Sequence, residues 1–161
     1  MIAFKRILVP SDFSDTSAAA VRYAVALARN FDARLYFLHV GDRVQSQFES
    51  EFPIGVDNTV EHAFRERLLR IVTPREQVEL NPEFVIRPGG PAAEIVRYAQ
   101  EANIDIIVMG THGRGLVGHM VMGSVAEKVV RTATCPVLTV RMAAAASIAP
   151  EVATVSTPAS L

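Results

Sequence analysis

The stretch "IDIIVMGTHGRGLVGHMVMGSVAEKVV", residues 104–130, decides how the rest of the chain is read. It opens on an apolar run, 104–109, and closes on "VAEKVV", which has helical spacing. Between the two, Met109 to Ser124 holds five of the chain's nine glycines. Glycine loses more backbone entropy on folding than any other residue, so such a cluster marks tight turns or the close approach of something else. A strand, a glycine-rich loop and a helix in that order form a repeating unit of α/β sheets.

Four further β-branched-rich runs lie outside this stretch: "FKRILVP" (4–10), "ARLYFLHV" (33–40), "EFVIRP" (83–88) and "PVLTVR" (136–141). Several are continuously apolar rather than alternating, as strands covered on both faces must be. Helical segments separate them. Ser14 is placed to cap a helix over 15–31 whose buried face comprises Ala18, Val21, Ala24, Val25 and Ala28. A second helix is expected over 58–72, burying Ala63, Leu68 and Ile71, and a third over 91–102 with Pro91 in its first turn. The fourth starts at Gly123 or Ser124. The β-α-β-α-β-α-β-α-β order predicts an α/β fold: a five-stranded parallel open sheet with helices on both faces. Right-handed crossovers point to the flavodoxin-like, Rossmann-like strand order 3-2-1-4-5.

The totals bound the function. A chain of 161 residues suits one domain, expected over 1–141. With 16 basic and 17 acidic residues it is not built mainly for nucleic acid. No apolar run reaches the length of a membrane span. The start, "MIAFKRILVPSDFSD", has too short a hydrophobic stretch and too early a charge cluster for a signal peptide. The single cysteine, Cys135, cannot form an internal disulfide, so a cytoplasmic protein is the simplest expectation. Two segments stand apart from the repeat. The polar connection 41–57 is long enough to be mobile or functional. The Ala/Ser/Thr/Pro-rich tail, 142–161, is expected to be flexible and outside the core.

Three phosphate-binding templates can be laid on the glycine loop. The P-loop, G-x-x-x-x-G-K-[ST], finds its glycines and serine in "GHMVMGS" (118–124) but not its lysine. The dinucleotide fingerprint G-x-G-x-x-G matches the letters of "GRGLVG" (113–118). Its context fails, because a helix should begin there at once and an acidic residue should end the next strand, which ends in Arg141. The third template, G-x-x-G, nine residues, then G-[ST], is met at Gly110, Gly113, Gly123 and Ser124. Backbone N–H groups exposed by glycine can wrap phosphate oxygens, and a helix N-terminus favours negative charge.

With "ILVPSDFSDTS" near the start, "VMGTHGRG" after the fourth strand and "GSVAEKVVRTATCPVLTVR" at the end, the chain resembles the universal stress protein family over about residues 3–141. The third template is the mark of that family's ATP-binding branch. The resemblance implies that Pro10, Ser11 and Asp12 line the pocket, with Asp12 on the ribose or nearby groups, and that Val40 meets adenine through its backbone. It implies that Met109, Gly110, His112, Gly113 and Arg114 run along the ribose and phosphates. Gly123, Ser124 and Val125 would close around the phosphate chain of ATP (or ADP or AMP), with a Mg or Mn ion held mainly through the phosphates. It further implies a homodimer formed by pairing of the last strand, residues 136–141, across a two-fold axis. Apart from the resemblance, Asp12, Val40 and the glycine loop each follow a strand, and so fall on one edge of the expected sheet.

Plainer readings stand beside these. The glycine loop could be a surface connection, and Asp12 a helix cap among the candidates in "SDFSD". His112 and His119 lack the companions of a metal site. Cys135 reads as a packed thiol, and Met109, Met120 and Met122 as adaptable packing. Three functions follow: an ATP-binding switch in stress response or signalling with an unidentified protein partner, a slow ATPase or nucleotidyl transferase in the same pocket, or a nucleotide-free interaction module. No catalytic base is identified for the second.

Overall fold

The structure, a computed structural model, describes residues 3–41, 57–111 and 122–141. The 142–161 tail, the bulk of the 41–57 connection, and His112, Gly113 and Arg114 lie outside the described residues. Each apolar run contains a strand: β1 (Arg6–Pro10), β2 (Arg34–Gly41), β3 (Glu83–Pro88), β4 (Ile106–Gly110) and β5 (Val137–Val140). All neighbours pair in parallel, in the expected order β3-β2-β1-β4-β5. Ile7, in the central strand, stands opposite Leu35 on one side and Ile106 on the other.

The strand alternation explains the continuous apolar runs. Ile7, Val9, Leu35, Phe37, Ile106 and Val108 enter one core cluster; Leu8, Tyr36, Leu38, Ile107 and Met109 enter the other. Both faces of the central strands are therefore buried, which is why their runs are almost continuously apolar. Five helices are described: α1 (Asp15–Phe31), α2 (Asp57–Leu69), α3 (Pro74–Leu80), α4 (Pro91–Glu101) and α5 (Ser124–Thr132). Helix α1, with Leu68 of α2 and Val72 after it, covers the first face. Helices α4 and α5 cover the second through Ile95, Tyr98, Ala99, Ala126 and Val129. The chain changes face between β3 and β4, so the strand order reverses beside β1, and β1 and β4 flank the switch point of the sheet.

Helix α1 starts where expected. The Ser14 hydroxyl accepts a hydrogen bond from the Ser17 N–H at 3.2 Å, satisfying a first-turn donor. Its buried residues are Ser17, Ala19, Ala20, Val21, Ala24, Val25 and Ala28. Ala18 is exposed, contrary to expectation, because it stands to one side of the stripe centred on Ala24 and Ala28. The helix expected over 58–72 is α2, which ends at Leu69, and a further helix, α3, follows beyond that range. Thr73 starts α3 with a capping box: its hydroxyl accepts the Glu76 N–H at 3.3 Å, and the Glu76 carboxylate accepts the Thr73 N–H at 2.9 Å. Pro74 then occupies the first helical turn of α3. On α2 the inward spacing is Phe64 and Leu68, continuing to half-buried Ile71. Ala63, one position off that stripe, is exposed rather than buried.

Candidate functional site

Because all five strands are parallel, the turns after β1, β2 and β4 share one edge of the sheet. Pro10 closes β1, and the Ser11 N–H donates to the Leu38 carbonyl at 2.9 Å, extending the pairing with β2 by one residue. The chain then turns through Ser11, Asp12 and Phe13 into α1. Ser11 is buried, and its hydroxyl accepts the Phe13 N–H at 3.1 Å and lies 3.2 Å from the Ser17 hydroxyl. Asp12 Oδ1 accepts both the Ser14 N–H at 3.0 Å and the Ser14 hydroxyl at 2.6 Å. Ser14 is thus the cap of α1, and Asp12 is the residue that holds the cap. The cap is therefore Ser14 rather than Asp12, and Asp12 stands in the turn after β1, on the same edge of the sheet as the turns after β2 and β4.

From Ser14 a polar chain continues across the switch point. Its hydroxyl lies 3.0 Å from the Thr16 hydroxyl, and the Thr16 backbone packs directly on Gly110 at the end of β4. Thr111, buried just beyond, donates its N–H to the Val140 carbonyl at 3.0 Å and accepts the Gly123 N–H at 2.6 Å. This last bond ties together the two ends of the glycine-rich segment. Gly110 and the Gly123–Ser124 pair are thereby brought to one place. Gly123 is the N-cap of α5 and gives no side-chain hydrogen bond to it, in contrast to Ser14 on α1. Ser124 is exposed and Val125 packs half-buried against the second core cluster.

Val40, half-buried near the end of β2, stands opposite Arg87 of β3. The Gly41 carbonyl after it accepts the Gly89 N–H at 3.0 Å. Met109 is buried in the second cluster, so what it presents to the edge is backbone, in keeping with a packing role. Met122 packs partly buried against the same cluster, as does Cys135. Burial pushes the Cys135 thiol up from its ordinary pKa, which keeps it protonated and unreactive at neutral pH. Among the described residues no group of three or more His, Cys, Asp or Glu could hold a metal ion. No helix among them is long and apolar enough to cross a membrane.

Residues 3–141 match the universal stress protein family. The chain belongs to that family. Universal stress protein MJ0531 of Methanocaldococcus jannaschii is 33% identical over 141 residues, covering 86% of this chain and 82% of its own. The solved structure of MJ0577, from the same organism, superposes with a TM-score of 0.75 at 30% identity, over 87% of this chain and 97% of that one. Two more distant solved structures share the fold. A universal stress protein in complex with cAMP is 22% identical over 88% of this chain and 99% of its own, TM-score 0.59. The one from Archaeoglobus fulgidus in complex with dAMP is 23% identical over 87% and 99%, TM-score 0.56.

This universal stress protein also uses residues that its sequence did not single out. Thr16 packs on Gly110, Thr111 ties Gly123 to the end of β4, and Phe13, next after Asp12, forms an aromatic group with His39 and Phe64. Only His39 carried a visible signal, as the one imidazole in the apolar run "ARLYFLHV".

Proposed function

We propose that this universal stress protein binds an adenine nucleotide, ATP in the first place, in the crevice between the β1–α1 turn and the start of α5. Its occupancy then acts as a switch in cytoplasmic stress response or signalling. The observation that carries the reading is the Thr111–Gly123 hydrogen bond. It sets the glycine end of β4 beside a helix N-terminus whose N-cap, Gly123, brings no side-chain bond of its own, across from the Asp12 turn. First-turn N–H groups and the helix dipole suit phosphate, and the Ser124 hydroxyl adds a donor. The structures of this fold solved with cAMP and dAMP support an adenine base at the level of the architecture.

In this reading Asp12 and Ser11 face the ribose side, the Val40 backbone the base, and Gly110, Gly123, Ser124 and Val125 the phosphates. The family resemblance assigns His112, Gly113 and Arg114, which lie outside the described residues, to the ribose and phosphates as well. A Mg or Mn ion arriving with the nucleotide would be held mainly through phosphate oxygens. A switch requires that the nucleotide bind two states of the protein with different affinity. Assembly is a natural second state. β5 is an edge strand whose Val137, Leu138 and Thr139 are only half-buried, and we assign it as the homodimer seam.

Calorimetric titration of the purified chain with ATP and magnesium tests the reading, with Ser124→Ala and Gly113→Ala in parallel. Saturable binding weakened by about ten-fold in each variant is expected from the loss of phosphate contacts. Chromatography of the same samples reads turnover, and intact ATP after hours supports a binding protein over an ATPase. A folded wild type that takes up no adenine nucleotide at millimolar ligand sinks the proposal in favour of an interaction module.

A further inference from the structure

We infer that His39 is a positioning residue that fixes the Ser11–Ser14 turn and through it the grip on the nucleotide's ribose; the ribose part rests on the nucleotide reading above. His39 lies on β2 and is buried, with 6% of its surface exposed. A buried imidazole needs a partner, and Nδ1 lies 2.8 Å from the Ser11 carbonyl oxygen. A carbonyl can only accept, so Nδ1 carries the proton and donates. The backbone immediately before Asp12 is thereby tied to the strand beneath it.

The backbone immediately after Asp12 is held by a second device. Phe13 has φ 64°, in the left-handed region that is unfavourable for a bulky side chain. The other left-handed non-glycine residues described are Asp32, Asn81 and Asn103. Those are short polar side chains at helix ends, where this conformation terminates the helix. Phe13 has no such reason, and a residue held in an unfavourable conformation beside a ligand edge points to function. What holds it is its ring. The Phe13 and His39 rings lie 4.6 Å apart, His39 and Phe64 4.5 Å, and Phe13 stacks parallel to Phe64 at 6.2 Å. The Arg67 guanidinium sits 4.1 Å over the Phe13 ring from the outside.

Asp12 is therefore bracketed: its preceding carbonyl by the imidazole N–H, its following residue by the imidazole face. Helix α2 supplies Phe64 and Arg67, so its docking and the geometry of the Asp12 turn are one arrangement. Removing His39 frees both sides of Asp12 while leaving Gly123, Ser124 and the start of α5 unchanged. The loss should fall on sugar recognition and spare phosphate recognition.

The test compares wild type, His39→Leu, His39→Asn and Phe64→Leu. Asn can place a donor near the position of Nδ1; Leu cannot. Phe64→Leu loosens the ring group without touching β1 or β2. Three quantities are measured: affinity for ATP against 2′-deoxy-ATP, affinity for inorganic tripolyphosphate, and amide hydrogen exchange at Ser14 and Ser17 in the nucleotide-free protein. Wild type should prefer ATP by about ten-fold, the worth of one good hydrogen bond to a hydroxyl. His39→Leu should bring that preference close to one, speed exchange at both amides, and leave tripolyphosphate affinity within about two-fold. His39→Asn should retain most of the preference, and Phe64→Leu should fall between. A folded His39→Leu protein with wild-type sugar preference and wild-type exchange overturns the inference. If wild type binds ATP and deoxy-ATP equally, the ribose role falls while the nucleotide reading stands. If wild type binds neither but His39→Leu still speeds exchange, the nucleotide reading fails and the positioning of the turn survives.

Discussion

Gly110 and Thr16 are in such close approach that no side chain fits between them. A Cβ on Gly110 would lie 2.8 Å from the Thr16 carbonyl carbon and 2.9 Å from its oxygen. Both are backbone atoms in the first turn of α1 and cannot swing away. Gly110→Ala should therefore destabilise the nucleotide-free protein by about 1–3 kcal/mol, the usual range for overpacking. Urea unfolding of the two proteins measures it. An unchanged midpoint would mean that β4 and α1 are further apart than described, and that this glycine serves only a ligand.

Asp32 offers a gain of opposite sign. It ends α1 at φ 51°, ψ 49°, where glycine is favoured, and it sets a negative charge at the negative end of the helix dipole. Asp32→Gly should stabilise the fold by about 1 kcal/mol, and Asp32→Asn should recover the electrostatic share alone. Thermal unfolding at low and high salt separates the two, since only the charge effect is screened. Equal or lower stability for the glycine variant would contradict the left-handed assignment.

Tyr98 contributes to stability on the alkaline side. Its burial, followed by the charge of Glu83 and the hydrogen bond its hydroxyl donates to Glu83 Oε1 at 3.3 Å, pushes the phenol from 10.0 up to about 12. The folded state thus keeps a proton that the unfolded chain releases earlier. Its contribution is full below pH 10 and is lost as the pH rises towards about 12. Tyr98→Phe should show a flatter fall in stability across that window. Parallel denaturant titrations decide it; identical slopes would place the hydroxyl in water rather than in the core.

Thr139 tests the proposed seam. The Ile107 and Thr111 amides donate to the Pro136 and Val140 carbonyls, so by the alternation of a parallel ladder the Val137 and Thr139 backbone groups point away from β4. Thr139→Pro should leave the sheet intact and remove an outward N–H needed by a second copy. Sedimentation should give a dimer for wild type and a monomer for the variant. Two monomers, or two dimers, would remove β5 from the interface.

The strand order was legible because parallel strands buried on both faces leave uninterrupted apolar runs, and only a few topologies satisfy right-handed crossovers. The cap of α1 was legible because Ser14 precedes a long alanine-rich repeat. Helix α3 was missed for a physical reason: none of its residues is buried, so it carries no apolar period. Its signal was Thr73, Pro74 and Glu76, a capping box that precedes no hydrophobic stripe. On the site side, Asp12 and the glycine spacing could be read locally, since each follows a strand directly. The Phe13–His39–Phe64 group could not, because its members lie far apart in sequence and meet only once β1, β2 and α2 are packed.

The alanines beneath α1 make the two faces of the sheet vulnerable in opposite ways. Ala19, Ala20, Ala24 and Ala28 have little left to trim and no room to grow, whereas Ile95, Tyr98 and Val129 on the far face are large enough to leave a hole. A survey of random substitutions should therefore find added volume purged on one side and lost volume purged on the other. The face closed to enlargement is the one whose first turn adjoins Asp12 and Gly110. Drift should therefore conserve small size beneath α1, beside the Asp12 turn and Gly110, and conserve bulk beneath α4 and α5.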